Sequence, residues 1–282
     1  MPGTLYVVAT PIGNLEDVTL RALRILREVS VIAAEDTRRT ARILQHYSIS
    51  TRTTSLHEHN ERSKTPALIA RLIAGESIAL VSDAGTPVVS DPGTLLVAAA
   101  HSAGIRVEPV PGPSAVVAAV SASGFPETEF SFLGFPPVRA KARKDWLAAH
   151  ASERRTLVFF EAPHRIRRCL EDMLDAFGDR QLLLGREITK AHESLAVQPI
   201  SKHLAALTEE RGEFTLVVRG AAEAPDADRV RPDPATLAVE FGELTNNSTV
   251  SRREALRALA LRHGMSARDV FALLERSKYS AE

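Results

Sequence analysis

The sequence predicts an α/β protein, built as two α/β domains followed by a small helical unit. Three observations point there. Short apolar runs alternate with segments of helical period over most of the chain. Loops rich in glycine and proline follow the apolar runs one after another. Near the C-terminus, a Pro-, Ala- and Asp-rich stretch gives way to a capped helical pattern.

The first domain is expected over residues 1–120. Leu5–Ala9 reads as a buried strand, and Thr19–Glu28 as a helix with Leu20, Leu23 and Leu26 at helical spacing. Val31–Ala34 is a second strand and Thr37–Tyr47 a second helix. Lys64–Ala74 is a helix that Gly75 should stop. Ile78–Val81, Thr94–Ala103 and Arg106–Val110 read as strand, helix and strand, and Pro113 stands where another helix begins. This alternation implies a mostly parallel sheet with helices on both faces.

The second domain is expected over residues 121–222. Phe130–Leu133, Thr156–Phe160, Leu182–Arg186 and Phe214–Val218 read as strands, Lys141–His150 and Arg165–Phe177 as helices. These strands carry more Phe and Thr, which suits a mixed sheet. Residues 223–234 form the linker and 235–282 the helical unit. There Ser251-Arg252-Arg253-Glu254 has the form of a capping box before Leu256, Leu259 and Leu261. Gly264 should end that helix, and Ser266-Ala267-Arg268-Asp269 should open another, with Val270, Leu273 and Leu274 facing inward. Two capped helices around a Gly turn resemble a helix-turn-helix, a shape that also serves purely structural ends.

Composition narrows the function classes. Lys+Arg and Asp+Glu both number 35, so nucleic-acid contact must come from local basic clusters rather than a global field. With Cys169 the single cysteine, neither an internal disulfide nor a thiolate zinc site can form, as suits a reducing compartment. No run is long enough to span a membrane or to form the apolar region of a signal peptide. The expectation is a soluble, cytoplasmic protein.

Chemistry is expected in the strand-end loops. Thr10-Pro11-Ile12-Gly13-Asn14, Ser82-Asp83-Ala84-Gly85-Thr86-Pro87, Pro111-Gly112-Pro113-Ser114-Ala115 and Glu161-Ala162-Pro163-His164-Arg165 each follow an apolar strand, and Ser90-Asp91-Pro92-Gly93 lies just beyond the second of them. Ligands of open α/β sheets bind beyond the carboxyl ends of strands. Any one loop alone reads better as a tight turn without a ligand; four together favour a shared site. The chain has no G-x-x-x-x-G-K-[ST], no G-x-G-x-x-G after the first strand and no G-x-S-x-G elbow. These absences count against P-loop, dinucleotide-binding and hydrolase readings.

The first loop, continued through Leu15-Glu16-Asp17-Val18-Thr19-Leu20-Arg21-Ala22, resembles the opening motif of the ribosomal RNA small subunit methyltransferase I family, a branch of the tetrapyrrole-methylase superfamily. Ala34-Glu35-Asp36-Thr37-Arg38, the Ser82 and Pro111 loops, Phe132-Leu133-Gly134-Phe135, Phe160–Arg165, Arg186-Glu187-Ile188-Thr189-Lys190 and Gly212–Val217 resemble that family in order. The resemblance covers residue 5 to about 220. It implies two α/β domains with S-adenosylmethionine in the cleft between them, no metal, and usually a homodimer. It implies 2′-O-methylation of a cytidine in the decoding region of 16S ribosomal RNA, with that RNA or the small ribosomal subunit as partner. Pro11, Asp83, Gly85, Thr86, Ser114 and Ala115 match the motifs expected to hold the cofactor, although Asp83 also suits a helix cap or turn.

A ribose hydroxyl needs a base or a stabilising cation nearby. The candidates are Glu35, Asp36, Arg38, Glu161, His164, Arg165, Glu187, Lys190 and Glu193. Among them Lys190 serves as base if burial lowers its pKa, with Glu161 or Glu187 orienting it. A helix cap at Glu161 and a structural ion pair at Arg186–Glu187 stay open. Arg38, His57, Asn60, His164 and Arg165 are expected on the RNA side. His57-Glu58-His59-Asn60 has a metal-like spacing without a third ligand, and reads better as a polar loop lining an RNA cleft. Three basic clusters, Arg139/Lys141/Arg143/Lys144, Arg165/Arg167/Arg168 and Arg252/Arg253/Arg257/Arg262, suit phosphates or solvated helix faces. The alternatives are a methylase of the same superfamily acting on a tetrapyrrole or a protein side chain, and a non-catalytic RNA-binding module.

Overall fold

The computed structural model describes residues 1–222, 232–246, 251–263 and 270–275. The chain divides into two units, Met1–Ala222 and Glu223–Glu282. The first unit opens with β1 (Thr4–Val8), α1 (Leu20–Glu28), β2 (Val31–Ala34), α2 (Thr37–His46), β3 (Thr53–Ser55), α3 (Glu61–Ile73), β4 (Ile78–Val81), α4 (Thr94–Ser102) and β5 (Arg106–Val110). The strands form one parallel sheet in the order β3-β2-β4-β1-β5. Residues of β2 and β4 are buried throughout, as parallel strands covered on both faces must be. One face packs Val8, Ile32, Ala34, Ala79 and Val81 against Leu23, Leu26 and Leu44 of α1 and α2. The other packs Leu5, Val31, Ala33, Ile78 and Leu80 against Leu68, Leu72, Leu96 and Ala100 of α3 and α4.

The chain continues through α5 (Ala115–Ser123), β6 (Phe130–Phe132), α6 (Ala140–Ala149), β7 (Thr156–Glu161), α7 (Ile166–Phe177), β8 (Gln181–Arg186), β9 (Ser194–Pro199), α8 (Ile200–Ala206) and β10 (Phe214–Val218). The second sheet runs β6-β7-β10-β8-β9 and is mixed: only β6 and β7 are parallel. Ile166, Leu170 and Met173 of α7 cover one face. Val116 and Ala119 of α5 meet Val158, Leu183 and Val217 on the other. Helix α5 therefore belongs with the second sheet, although it runs across residue 120. Pro113 lies before α5 rather than at its start, and Ser114 caps the helix by accepting from the Val117 N–H.

In the second unit, α9 (Pro234–Asn246) and α10 (Arg252–Arg262) share an apolar core of Leu237, Leu259, Ala260, Val270 and Leu274, with Leu256 and Leu273 partly buried against it. The capping box forms: Glu254 accepts from the Ser251 N–H at 2.8 Å, and Ser251 Oγ accepts from the Glu254 N–H at 3.3 Å. Helix α9 begins where the linker was expected to end. The expected stop at Gly264 and start at Ser266–Asp269 lie outside the described residues, as does most of the linker.

Candidate active site

The Gly/Pro loops of the first sheet are fastened to one another. Thr10 and Gly85 exchange backbone hydrogen bonds of 2.8 and 2.9 Å, so the β1 and β4 loops continue as a bridge past their strands. Thr86 Oγ1 donates to the Pro113 carbonyl at 3.2 Å, adding the β5 loop. Gly85 has φ +79°, which favours glycine, and a Cβ there would press on Ile12. A cavity of about 400 Å³ opens at these loops and is closed by residues of the second sheet. Ile12, Glu35, Asp83, Gly85, Thr86, Ser114 and Ala115 line it from the first sheet's side. Phe160, Glu161, Ile188 and Thr215 line it from the second. That volume is within the range of small-molecule sites.

One wall is acidic. Glu35 Oε2 accepts from the Asp83 N–H at 3.2 Å, and Asp83 Oδ1 accepts from the Asp36 N–H at 2.9 Å. Arg39 approaches Asp83 Oδ2 at 3.3 Å. Burial raises the Glu35 carboxyl above its usual range, against the hydrogen bond from the Asp83 backbone. Asp91 is pushed up to about 6 by burial first and then by the charge of Glu35. Three carboxylates against one arginine make a wall suited to a cation, while Ile12, Ala84, Ala115 and Val116 give it an apolar neighbour. This donor set fits a sulfonium cofactor carrying a heterocycle.

Backbone strain flanks the cavity. Val88, Ser90, Glu187 and Thr189 have φ of +72°, +67°, +52° and +67°. Between each pair stands an apolar residue, Val89 or Ile188, that lines the cavity. A β-branched valine in the left-handed region is costly and survives only where its surroundings over-determine it.

Five of the six expected cofactor residues line the cavity; Pro11 is buried beside it and does not. Glu161 lines it, but its Oε1 accepts from the Ala162 N–H and from Arg165 Nε, both at 2.7 Å. The Arg165 side chain is 11% exposed and held in this pair, so part of its charge is spent within the protein. Lys190 and Glu187 stand outside the cavity. Lys190 Nζ donates to Glu187 and Glu213 at 3.0 Å each. Burial pulls the Lys190 pKa down, but the hydrogen bonds to Glu187 and Glu213 reverse it, and the net shift is upward. The condition for Lys190 to serve as base, a pKa lowered by burial, is not met here: Glu187 and Glu213 stabilise the ammonium. Glu193 caps the same loop, accepting from the Thr189 N–H.

Of the other expected residues, Arg38 and His164 are exposed. Asn60 spends its side chain locally, accepting from the His57 N–H and donating toward Ser55. Its amide also lies 2.9 Å from His57 Nε2. Among the described residues, no three His, Cys, Asp or Glu side chains converge on a metal position. The basic clusters are partly consumed. Arg143 is buried against Asp172, Arg167 pairs with Glu210 and Arg262 with Glu240. Sequence reasoning missed Arg39, Asp91, Val89 and Phe135 as cavity residues. For Asp91 the signal was present, an Asp-Pro-Gly in a loop already marked; for Arg39 it was adjacency to Arg38.

The family description "Tetrapyrrole (Corrin/Porphyrin) Methylases" matches residues 4–203. The chain is 48% identical over 247 residues to ribosomal RNA small subunit methyltransferase I of Vibrio cholerae, covering 85% of each. It is 43% identical over 271 residues to the protein of that name from Halalkalibacterium halodurans, covering 95% of this chain and 93% of the relative.

The chain belongs to the tetrapyrrole methylase family, in its small subunit methyltransferase I branch.

Solved structures share the fold. Uroporphyrin-III-C-methyltransferase from Thermus thermophilus superposes with a TM-score of 0.57 at 24% identity, over 78% of this chain and 95% of that one. A second structure of the Thermus enzyme, complexed with S-adenosyl homocysteine, gives 0.56 at 19% identity, over 77% and 97%. The methyl donor of this methylase family is S-adenosylmethionine, and the acidic and apolar walls described above meet its chemistry.

Proposed function

We propose that this methylase transfers a methyl group from S-adenosylmethionine to the ribose 2′-hydroxyl of a cytidine in the decoding region of small-subunit ribosomal RNA. The observation that carries the reading is near full-length relation to proteins named for that subunit, at 43% to 48% identity. Bound S-adenosylmethionine supplies a methyl carbon on a positive sulfur. Glu35 and Asp83 would balance that charge, and Gly85, Thr86, Ser114 and Ala115, which also line the cavity, would hold the rest of the cofactor. Pro11 holds the β1 loop from behind. Val89, Ile188 and Phe160 keep water from the reacting atoms.

Asp91 is the proton acceptor in this reading. Its carboxyl is ionised at neutral pH yet, with a pKa of about 6, far more basic than an ordinary aspartate. Glu161 is held by Arg165 and serves to fix the β7 loop, while Glu187 and Lys190 fix the β8 loop through Glu213. Arg38, His57, Asn60 and His164 belong to the RNA side. The protein acts in the cytoplasm as a homodimer, with a first domain over 1–114, a second from α5 through 222, a linker up to 233 and a helical unit from Pro234 onward. Among the described residues, no helix is long and apolar enough to cross a membrane.

The test is labelled methyl transfer to small ribosomal subunits, and to their free RNA, from cells lacking the enzyme. Nucleosides are then identified by mass spectrometry. Appearance of 2′-O-methylcytidine supports the reading. Cofactor binding without transfer to either substrate overturns it. Light scattering at twice the chain mass is the check on the dimer.

A further inference from the structure

The mouth of the cavity holds an exposed aromatic ring. Phe135 is 54% exposed, yet its backbone is fixed. Gly134 turns the chain at φ +69°, its carbonyl accepts from the Phe160 N–H at 2.8 Å, and Pro136 and Pro137 follow. The Phe135 ring lies 5.5 Å from that of Phe160, which in turn lies 5.1 Å from Phe132. A ring so supported keeps one orientation while more than half of the residue stays open to solvent.

Phe135 and Ala162 line both the main cavity and an adjoining open groove of about 500 Å³. The groove's other walls are Pro136, Pro137, Val138, His164 and Arg165, with no carboxylate among them. The carboxylates Glu35, Asp83 and Asp91 all line the main cavity. The two spaces thus differ in charge: the cavity is acidic, and the groove is an apolar face bordered by His164 and Arg165.

We propose that Phe135 is the platform on which the base of the target nucleotide stacks after it leaves the RNA strand, with His164 beside its backbone. The proposal rests on the RNA reading above. A ribose reaches a cavity of this size only if its nucleotide is extruded from the surrounding RNA, and an extruded base needs a new stacking partner. Base and ribose are one nucleoside. A base on Phe135 therefore sets its ribose at the Phe135–Ala162 boundary, where groove and cavity meet. Phe135 is a positioning residue, since the transferred methyl never touches it.

The test compares Phe135→Ala, Phe135→Leu and Phe135→Trp in the full-length protein, using unmethylated small ribosomal subunits. Leu keeps an apolar contact with Phe160 but removes the π face; Trp keeps it. We expect kcat/KM on subunits to fall about tenfold or more for Ala and Leu, and to stay within about threefold for Trp. The Kd for S-adenosylmethionine, by calorimetry, should change much less than kcat/KM in the Ala and Leu variants. Because Trp146 is the sole native tryptophan, the Trp variant also reports contact directly: its added fluorescence should be quenched by RNA. A Leu variant within about twofold of the parent overturns the platform. So does a loss of cofactor affinity that matches the loss in kcat/KM, for then Phe135 serves the donor. If the unaltered protein transfers nothing to RNA, the RNA reading itself fails and takes the platform with it. That outcome is distinct from the other two.

Discussion

At Asp91 two demands meet on one side chain. The folded state holds its carboxyl at about 6, against an ordinary value of 3.8, by burial first and by Glu35 second. A carboxyl raised on folding binds a proton between about pH 4 and 6 that the unfolded chain has released. Its contribution to stability therefore falls as pH rises through that window and stays low above it. Asp91→Asn removes the penalty. The variant should be more stable than the parent by about 1 kcal/mol at pH 7.5, after allowance for solvent screening, and no more stable near pH 4. Urea unfolding at the two pH values measures this. The same variant should lose about 100-fold or more in kcat/KM, and the parent's kcat/KM should rise through pH 6 as the carboxyl ionises. A gain in stability joined to a loss of activity is expected of a group strained for its task. A variant as active as its parent would remove Asp91 from the mechanism. Lys190 provides the contrast. Held as a cation by Glu187 and Glu213, it should be replaceable by Gln with the rise through pH 6 intact. Disappearance of that rise in Lys190→Gln would restore the lysine as base.

Helix α4 begins at Gly93, which has no side chain to cap it, and the cap comes from another helix. Glu61 of α3 is 6% exposed, and its Oε1 accepts from the N–H groups of Leu95 and Leu96 at 2.8 and 3.2 Å. Both are orphan donors at the positive end of the α4 dipole. Glu61→Ala should cost about 1–3 kcal/mol, since these two donors lose their partner in a buried setting. Denaturant unfolding checks it, and a loss under about 0.5 kcal/mol would show that water replaces the cap. This contact also marks the limit of what the sequence makes legible. Val31–Ala34 and Ile78–Val81 are recoverable to the residue because buried parallel strands are continuous apolar runs, and Arg106–Val110, a half-exposed edge strand, is marked by its position between Gly104 and the Pro111 loop. β3 and β9 are not: β3 has three polar residues, and most of β9 is solvent-exposed at a sheet edge. Helix α3 starts three residues earlier than its period suggests, because polar Glu61 and Thr65 are buried in it and Pro66 interrupts the pattern. The cofactor loops are legible as turns placed at strand ends. Arg143 read as part of a basic face, and only the fold shows Asp172 waiting on the next helix.

For the whole molecule, the division of labour between the units can be argued from where their residues lie. Among the described residues, four apolar clusters use residues up to 218 and a fifth uses residues from 237 onward. All cavity-lining residues fall between 12 and 215. A chain ending at Ala222 should therefore fold and bind S-adenosylmethionine with a Kd within about twofold of the full protein. A larger loss would mean that the second unit completes the site. The charge balance bears on the RNA side in the same way. The formal net charge is zero, and Arg143, Arg165, Arg167 and Arg262 are committed to internal carboxylates. Five of the nine arginines in the three clusters, Arg139, Arg168, Arg252, Arg253 and Arg257, remain to displace counterions from phosphates. RNA affinity should thus fall with salt with a log–log slope equivalent to about five phosphate contacts or fewer. Binding titrations between low and moderate salt measure that slope. A much steeper one would mean that the internal pairs open when RNA arrives, and that the arginines read from the sequence as phosphate ligands serve as such only in the complex.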